Sequence, residues 1–401
     1  MKPAVPVVAT TVVQVLTSFA ALTVPSLVPL VANDPRFHAI GVGTFISILY
    51  AAAATVTLFA GPLVGRAGAI RTCQFAVACC CIGLLCASTG SSCGLVVGAI
   101  ALGMGYGPIT PASSHLLANA VSASNRRFIF SLKQTGVPAG TALAGVLVPI
   151  VTVLLGWRWA FAFVAACCLA VVAALQTVRR ELDMPVQGSS SMSPTRILSS
   201  VTMVLNHPYL RLLALAAFVL GGAQMCASTF LISYFYKGLD YTALAAGAML
   251  TIANVAGVIF RLVWGAAADR GVNPRLLLAG LAVLASMSVA AMASQTLMTQ
   301  HVAAAVACFV LGSTAIGWNG VLLAEVAEAA PASAVSTATA GCMFFSFGGV
   351  MTFPVLFGFI QRASGSYFAS WMATAGAAAL LGITLYLSKC KVDKEQAVAR
   401  G

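Results

Sequence analysis

Apolar residues run along this chain in twelve stretches of roughly helical membrane-crossing length, separated by short polar punctuation. A helix needs about 20 mostly apolar residues to cross the hydrocarbon core, where every backbone N–H and C=O must be paired internally. The windows predict spans near 8–31, 40–61, 72–90, 93–118, 130–153, 157–178, 209–235, 242–267, 276–296, 302–326, 334–360 and 367–388. The first run follows Lys2 in the manner of a secretion signal. It is too long for one, shows no clear cleavage site and precedes eleven more spans, so it reads as an uncleaved helix. Gln14, Thr17 and Ser18 make one side of it polar, with Gln14 and Ser18 four apart on a shared face.

The longest polar stretch, 179–208, holds Gly188-Ser189-Ser190-Ser191 and then Pro194. It separates six spans from six and reads as a cytoplasmic linker. The expected organisation is a six-helix bundle over 1–178, a linker over 179–208, and a second six-helix bundle over 209–401 ending in a short cytoplasmic tail. The halves repeat. Gly61-Pro-Leu-Val-Gly65-Arg66 with Arg71 aligns with Gly265-Ala-Ala-Ala-Asp269-Arg270 with Arg275 at an offset of 204. Leu116-Leu-Ala-Asn119 aligns with Leu322-Leu-Ala-Glu325 at 206. Such a repeat implies two pseudo-symmetric bundles with a site near the midplane.

Composition agrees with an all-α integral membrane protein: 60% apolar, 7% charged, mean hydropathy +0.98. The net charge of +12 invites a nucleic-acid reading, and its distribution refutes it. With both termini cytoplasmic, sixteen of the 21 basic residues fall inside, while Arg36, Arg158, Lys237 and Arg362 fall outside and Arg261 is intramembrane. That is the positive-inside pattern, so the charge reports orientation in an inner membrane of bacterial type. The 12 cysteines lie mostly within spans, where they act as small apolar residues for close packing. A metal site would need convergent ligands, and His38, His115, His207 and His301 are scattered. No Walker loop, His-Glu-x-x-His or Ser/His/Asp set appears, so neither an enzyme nor a cofactor is expected.

The candidate cavity residues are the polar and aromatic positions well inside spans. Arg261 stands eight residues before Asp269-Arg270, about 12 Å inside the helix end at 1.5 Å of rise per residue. An arginine at that depth costs at least ~2.5 to 3.5 kcal/mol on insertion scales, so it should face a polar cavity or a partner. Asn254 shares its face, seven residues earlier. Gln224 in span 7, Trp318 and Asn319 in span 10, Gln14 in span 1 and Tyr50 in span 2 complete the central set. Lys133 and Gln134 open span 5 about one turn from its end, where snorkelling to the interface competes with substrate contact. His115 reads as a packed or interfacial histidine. Gly107-Pro108-Ile-Thr110-Pro111 should bend span 4.

Gly-x-x-x-Asp-Arg-x-x-x-x-Arg between spans 8 and 9, its degenerate copy between spans 2 and 3, and the six-plus-six layout resemble the major facilitator superfamily. The resemblance implies a twelve-helix transporter working by alternating access. It also implies a latch at the cytoplasmic side, formed from Gly61, Arg66, Arg71, Gly265, Asp269, Arg270 and Arg275 with Glu325 and Glu328. Asp269 is expected to cap the next helix and pair with an arginine, and the two glutamates to answer Arg270 or Arg275. Gly65 stands where the first copy should have Asp, and Asn119 stands opposite Glu325, so an asymmetric latch is expected.

Arg261-x-x-x-Gly265-x-x-x-Asp269-Arg270 is similar to nitrate/nitrite porters and to oxalate or monocarboxylate transporters, whose span 8 arginine binds the anion. The nitrate porters' second arginine is replaced by Thr57. The stretches 105–114 and 131–138 also resemble the cyanate-permease-like branch. These resemblances imply a small organic anion of monocarboxylate type, moved by a monomer in the bilayer, with protons as partners in the case of symport. Two alternatives stand beside that reading: a proton-coupled drug or metabolite exporter, and a non-transporting sensor on the same scaffold.

Overall fold

The computed structural model describes residues 4–31, 34, 42–183 and 194–398. Within them the protein is all-helical. Eleven helices are long and apolar enough to cross a membrane, and a bent pair supplies the twelfth span. In chain order the helices are α1 (Ala4–Val31), α2 (Val42–Thr57), α3 (Ala60–Ala67), α4 (Ala69–Ala87), α5 (Ser92–Tyr106), α6 (Ile109–Ala120), α7 (Arg126–Gln134), α8 (Gly136–Leu155) and α9 (Trp157–Leu182). They continue as α10 (Pro194–Asn206), α11 (Pro208–Ser233), α12 (Ala243–Asp269), α13 (Pro274–Ala293), α14 (Gln295–Met298), α15 (His301–Leu311), α16 (Asn319–Ala329), α17 (Val335–Ser364) and α18 (Tyr367–Val398).

Several spans are broken where the sequence weakens the helical ladder. The second is bent by 56° between α2 and α3. The fourth breaks between α5 and α6 at Gly107-Pro108, where proline has no N–H to donate. The tenth passes from α15 through a π-turn, Gly312–Ile316, into α16. A π-turn leaves carbonyls without their usual partners, and side chains take them up here. Within the expected linker, α10 occupies Pro194–Asn206, and the Gly188–Ser191 cluster lies outside the described residues.

The chain divides into two compact units. The first holds residues 1–126, 132–210 and 326–347. In it α1 runs along α8, with a Cβ at Gly140 colliding with Val15 O and falling 2.7 Å from Ser18 Cβ, so only glycine permits that approach. α4 packs between α5 and α9 around Cys73, Cys80, Cys81 and Cys168, and these four are free thiols. α10 buries Ser200 and Val204 against Gly341 of α17.

The second unit holds 127–131, 211–325 and 348–401. α13 packs along α18, and α12 along the π-turn. Tyr234 donates its hydroxyl to the Met292 carbonyl and Tyr241 donates to Met298 O at 2.7 Å, tying the end of α11 and the turn after it to α13 and α14. Phe357 and Trp371 meet edge to face at 4.7 Å beside Tyr234 and Tyr367, filling the space between α11, α17 and α18.

Candidate functional site

Each unit buries one basic side chain among carboxamides. In the first, the close approach of α1 and α8 brings Gln14 over the end of α7. Lys133 is 2% exposed, and its ammonium donates to Gln14 Oε1 at 2.6 Å and Gln134 Oε1 at 3.3 Å. Gln14 and Gln134 are themselves 2% and 4% exposed. No carboxylate is ion-paired with this lysine among the described residues. Snorkelling therefore does not describe it; the side chain turns inward to an amide 119 positions away. Ser18, one turn along α1 from Gln14, has a buried hydroxyl without a partner.

In the second unit the cation is Arg261, at 1% exposure. Its Nε donates to Ile316 O at 3.0 Å, one of the carbonyls loosened by the π-turn. Asn319 Nδ2 approaches the same oxygen at 3.4 Å and donates to Gln224 Oε1 at 3.1 Å. Trp264 Nε1 takes the Ser313 carbonyl at 2.7 Å, so α12 reads two carbonyls of one turn. The structure thus brings together Arg261, Asn319 and Gln224 from α12, α16 and α11. It does not draw in the other two candidates by hydrogen bonds: Asn254 donates to Leu250 O of its own helix at 3.0 Å, and Trp318 donates to Ala315 O at 3.0 Å.

Tyr50 belongs to a third group in the first unit. Its ring lies 5.9 Å from Tyr106 and 5.9 Å from Phe347, and the latter two are 6.2 Å apart. This aromatic trio joins α2, α5 and α17. His115 lies one turn from Asn119, with Nε2 and Nδ2 3.5 Å apart, and its Nδ1 is buried without a partner.

The acidic residues work at helix ends. Asp269 accepts from the backbone N–H of Arg127 at 3.1 Å and of Phe128 at 2.8 Å. These are two of the orphan donors at the start of α7, so the carboxylate caps that helix. The next helix, α13, is capped by Asn273 instead, which accepts from Arg275 N and Leu276 N. Arg127 Nη1 lies 3.8 Å from Asp269 Oδ1, and its Nε and Nη2 donate to Glu325 Oε1 at 3.0 and 2.9 Å. Arg126 faces Glu328 at 4.0 Å and donates to Ala118 O at 3.3 Å. The sequence pointed to Arg270 or Arg275 for these glutamates; the structure places Arg127 and Arg126, at the head of α7, against them. Arg270 is exposed and forms no ion pair among the described residues.

Glycines let the same segment seat. A Cβ on Gly265 would fall 2.5 Å from Ser131 Oγ and 2.9 Å from Arg127 O, and Gly320 packs against Ser131 from another side. α12 and α16 therefore hold α7 in a socket only small residues can line.

The first copy of the repeat is built differently. Gly61 meets Thr337 Oγ1, 2.5 Å from where its Cβ would be. Arg66 and Arg71 are exposed without ion pairs among the described residues. The missing acid is replaced from elsewhere: Asp183, at the end of α9, accepts from Ile70 N at 2.7 Å and Arg71 N at 3.2 Å and caps α4. Gly68, at φ +90, holds the turn there, and a side chain on it would collide with the Asp183 carboxylate. Sequence reasoning missed Asp183, Arg126, Arg127 and Ser131 as working parts. A pair of arginines before a span was visible, but it was counted only as positive charge.

Residues 10–352 match the family model described as Major Facilitator Superfamily. Among solved structures the chain is similar to a single-substitution variant of the E. coli fucose:proton symporter FucP, at 16% identity and TM-score 0.72, over 96% of this chain and 99% of that one. FucP in an outward conformation matches at 15% identity and TM-score 0.71, with the same coverage. No curated protein matches the chain significantly by sequence.

Proposed function

The chain belongs to the major facilitator superfamily, and from that premise we propose that this secondary transporter carries a small organic monoanion of monocarboxylate type. The observation that carries the reading is the pair of buried cations set among carboxamides, Lys133 with Gln14 and Gln134, and Arg261 with Asn319 and Gln224. A buried ammonium or guanidinium costs several kcal/mol, roughly, unless a counter-charge or dense hydrogen bonding answers it. The nearby amides supply neutral acceptors and can turn to offer N–H donors. A carboxylate entering such a site gains the charge, and the amides orient its second oxygen. Asp269, Glu325 and Glu328 support the same reading by their location: they are taken up by Arg127 and Arg126 at helix ends.

In this reading the halves 1–178 and 209–401, joined by 179–208, are the rocking bundles of alternating access. Gly61, Arg66, Arg71, Gly265, Asp269, Arg270, Arg275, Glu325 and Glu328, now joined by Arg126, Arg127 and Asp183, form the latch region. The distribution of basic residues supports both termini on the cytoplasmic face of an inner membrane. The likeness to a fucose:proton symporter is a likeness of fold, and its sugar is not carried over.

The test is uptake into proteoliposomes of a labelled panel: acetate, pyruvate, lactate, cyanate, nitrate, fucose and a lipophilic cation. Uptake of one or more monoanions, lost in Arg261→Gln, is the expected result. Uptake of fucose or the cation with no anion flux would overturn the reading.

A further inference from the structure

We propose that the groove between α4 and α9 binds an anionic glycerophospholipid, with its phosphate at Arg71 and Arg180 and an acyl chain lying along the groove. The groove has a volume of about 500 Å3. Arg71, Gln74, Phe75 and Ala78 line it from one face of α4, and Val172, Ala173 and Gln176 form the facing wall on α9. Ala78 and Ala173 are short, so the two helices leave an apolar trough between them. Gln74, 6% exposed, ties the walls together: its Nε2 donates to Val172 O and to Gln176 Oε1, both at 3.1 Å. Its own Oε1 is buried without a partner. With its oxygen taken by Gln74, Gln176 has its NH2 group left to donate. One turn in from Arg71, the groove thus holds a donor for a phosphate oxygen and an acceptor left over for a headgroup hydroxyl.

The charge lies at one end of the trough. Arg179, Arg180 and Asp183 follow Gln176 by three, four and seven positions and so continue the same face of α9. Asp183 is committed to the backbone N–H groups of Ile70 and Arg71 and lies 3.8 Å from Arg179. Arg71 and Arg180 are exposed and form no ion pair among the described residues. Two guanidinium groups above an apolar trough match a phosphate at headgroup depth with hydrocarbon beneath it. The apolar face of α4 continues beyond the groove as Ile82 and Leu85, 55% and 52% exposed. At 1.5 Å of rise per residue Ile82 lies about 16 Å along the helix from Arg71, about the depth of one leaflet of a ~30 Å core. A second groove, of about 450 Å3 between α1 and α9, has Thr177 as the one polar residue among those lining it. It offers a phosphate no counter-charge, so headgroup selectivity belongs to the α4–α9 groove.

The experiment is native mass spectrometry of the full-length protein in detergent with equal amounts of phosphatidylglycerol and phosphatidylcholine of identical chains. One phosphatidylglycerol should be retained in preference. Arg71→Gln combined with Arg180→Gln should cut that preference about 30-fold, about fivefold for each arginine lost. Arg211→Gln removes an exposed charge on α11 and should leave it unchanged. Ala173→Trp, at an exposed position of the groove wall, should fill the trough and displace the lipid, whereas Val8→Trp in the α1–α9 groove should not. An excess of free glycerol phosphate should not compete. Equal retention of the two lipids by the parent, an unchanged preference in the double arginine variant, or a preference that survives Ala173→Trp overturns the inference. An equal loss in Arg211→Gln reduces the effect to overall charge and overturns it too. Displacement by glycerol phosphate makes this a site for the phosphate alone and overturns the lipid assignment.

Discussion

Replacing Asp269 by asparagine tests a carboxylate that both caps a helix and faces an arginine. The carboxylate side chain is 8% exposed, accepts two backbone N–H bonds at the head of α7 and stands 3.8 Å from Arg127 Nη1. Asparagine keeps one oxygen, so one of the two N–H groups faces an NH2 and loses its acceptor. A hydrogen bond to a charged group contributes about 1.5–3 kcal/mol, and the charge at a helix N-terminus about 0.3–1 kcal/mol. The loss should come to about 2 kcal/mol, since Glu325 still holds the Arg127 guanidinium. The readout is thiol labelling of Ser131→Cys in a cysteine-depleted background, because Ser131 is buried in the socket of Gly265 and Gly320. If α7 must lift from that socket for the thiol to react, 2 kcal/mol raises the labelling rate roughly 30-fold. Gly65→Ala, at an exposed position, should leave the rate unchanged. An equal labelling rate and equal thermal midpoint in well-folded Asp269→Asn would refute the capping argument.

Other substitutions probe separate parts. Arg261→Lys should retain measurable anion binding, while Arg261→Gln should weaken it by about 2–5 kcal/mol, read as substrate-dependent thermal stabilisation of samples of equal monodispersity. Gly265→Val should lower the thermal midpoint, because even a Cβ there falls 2.8 Å from Ser131 Cβ; combining it with Ser131→Gly should recover part of the loss. Asp183→Ala frees two backbone donors of α4 and should destabilise by about 1–2 kcal/mol at that cap, seen as faster hydrogen exchange at Ile70 and Arg71. Single cysteines at Ser91 and Ser190 should label from opposite sides of the membrane, position 190 from the cytoplasm; exclusive labelling of 190 from outside would reverse the proposed orientation.

What the sequence by itself determined is what depends on local composition. A span of about 20 apolar residues is dictated by bilayer thickness, so the twelve spans and the all-helical class followed from hydropathy alone. Proline and glycine marked the break after Tyr106 in the same local way. The repeat exposed Gly265 and Asp269 because a motif is a pattern along one stretch of chain. Partnership between buried polar groups is not local, and only the tertiary structure decided it. Asp269 was expected to cap the helix that follows it, yet it caps one 142 positions earlier, because α12 and α7 are brought side by side by packing. Glu325 meets Arg127 across 198 positions, and Lys133 meets Gln14 across 119. Lys133 shows the limit most clearly. A lysine one turn from a helix end has a stem long enough to reach water or the interior, and its own sequence cannot tell which. The close α1–α8 contact at Gly136 places an amide oxygen on the inner side, and that neighbour turns the charge inward.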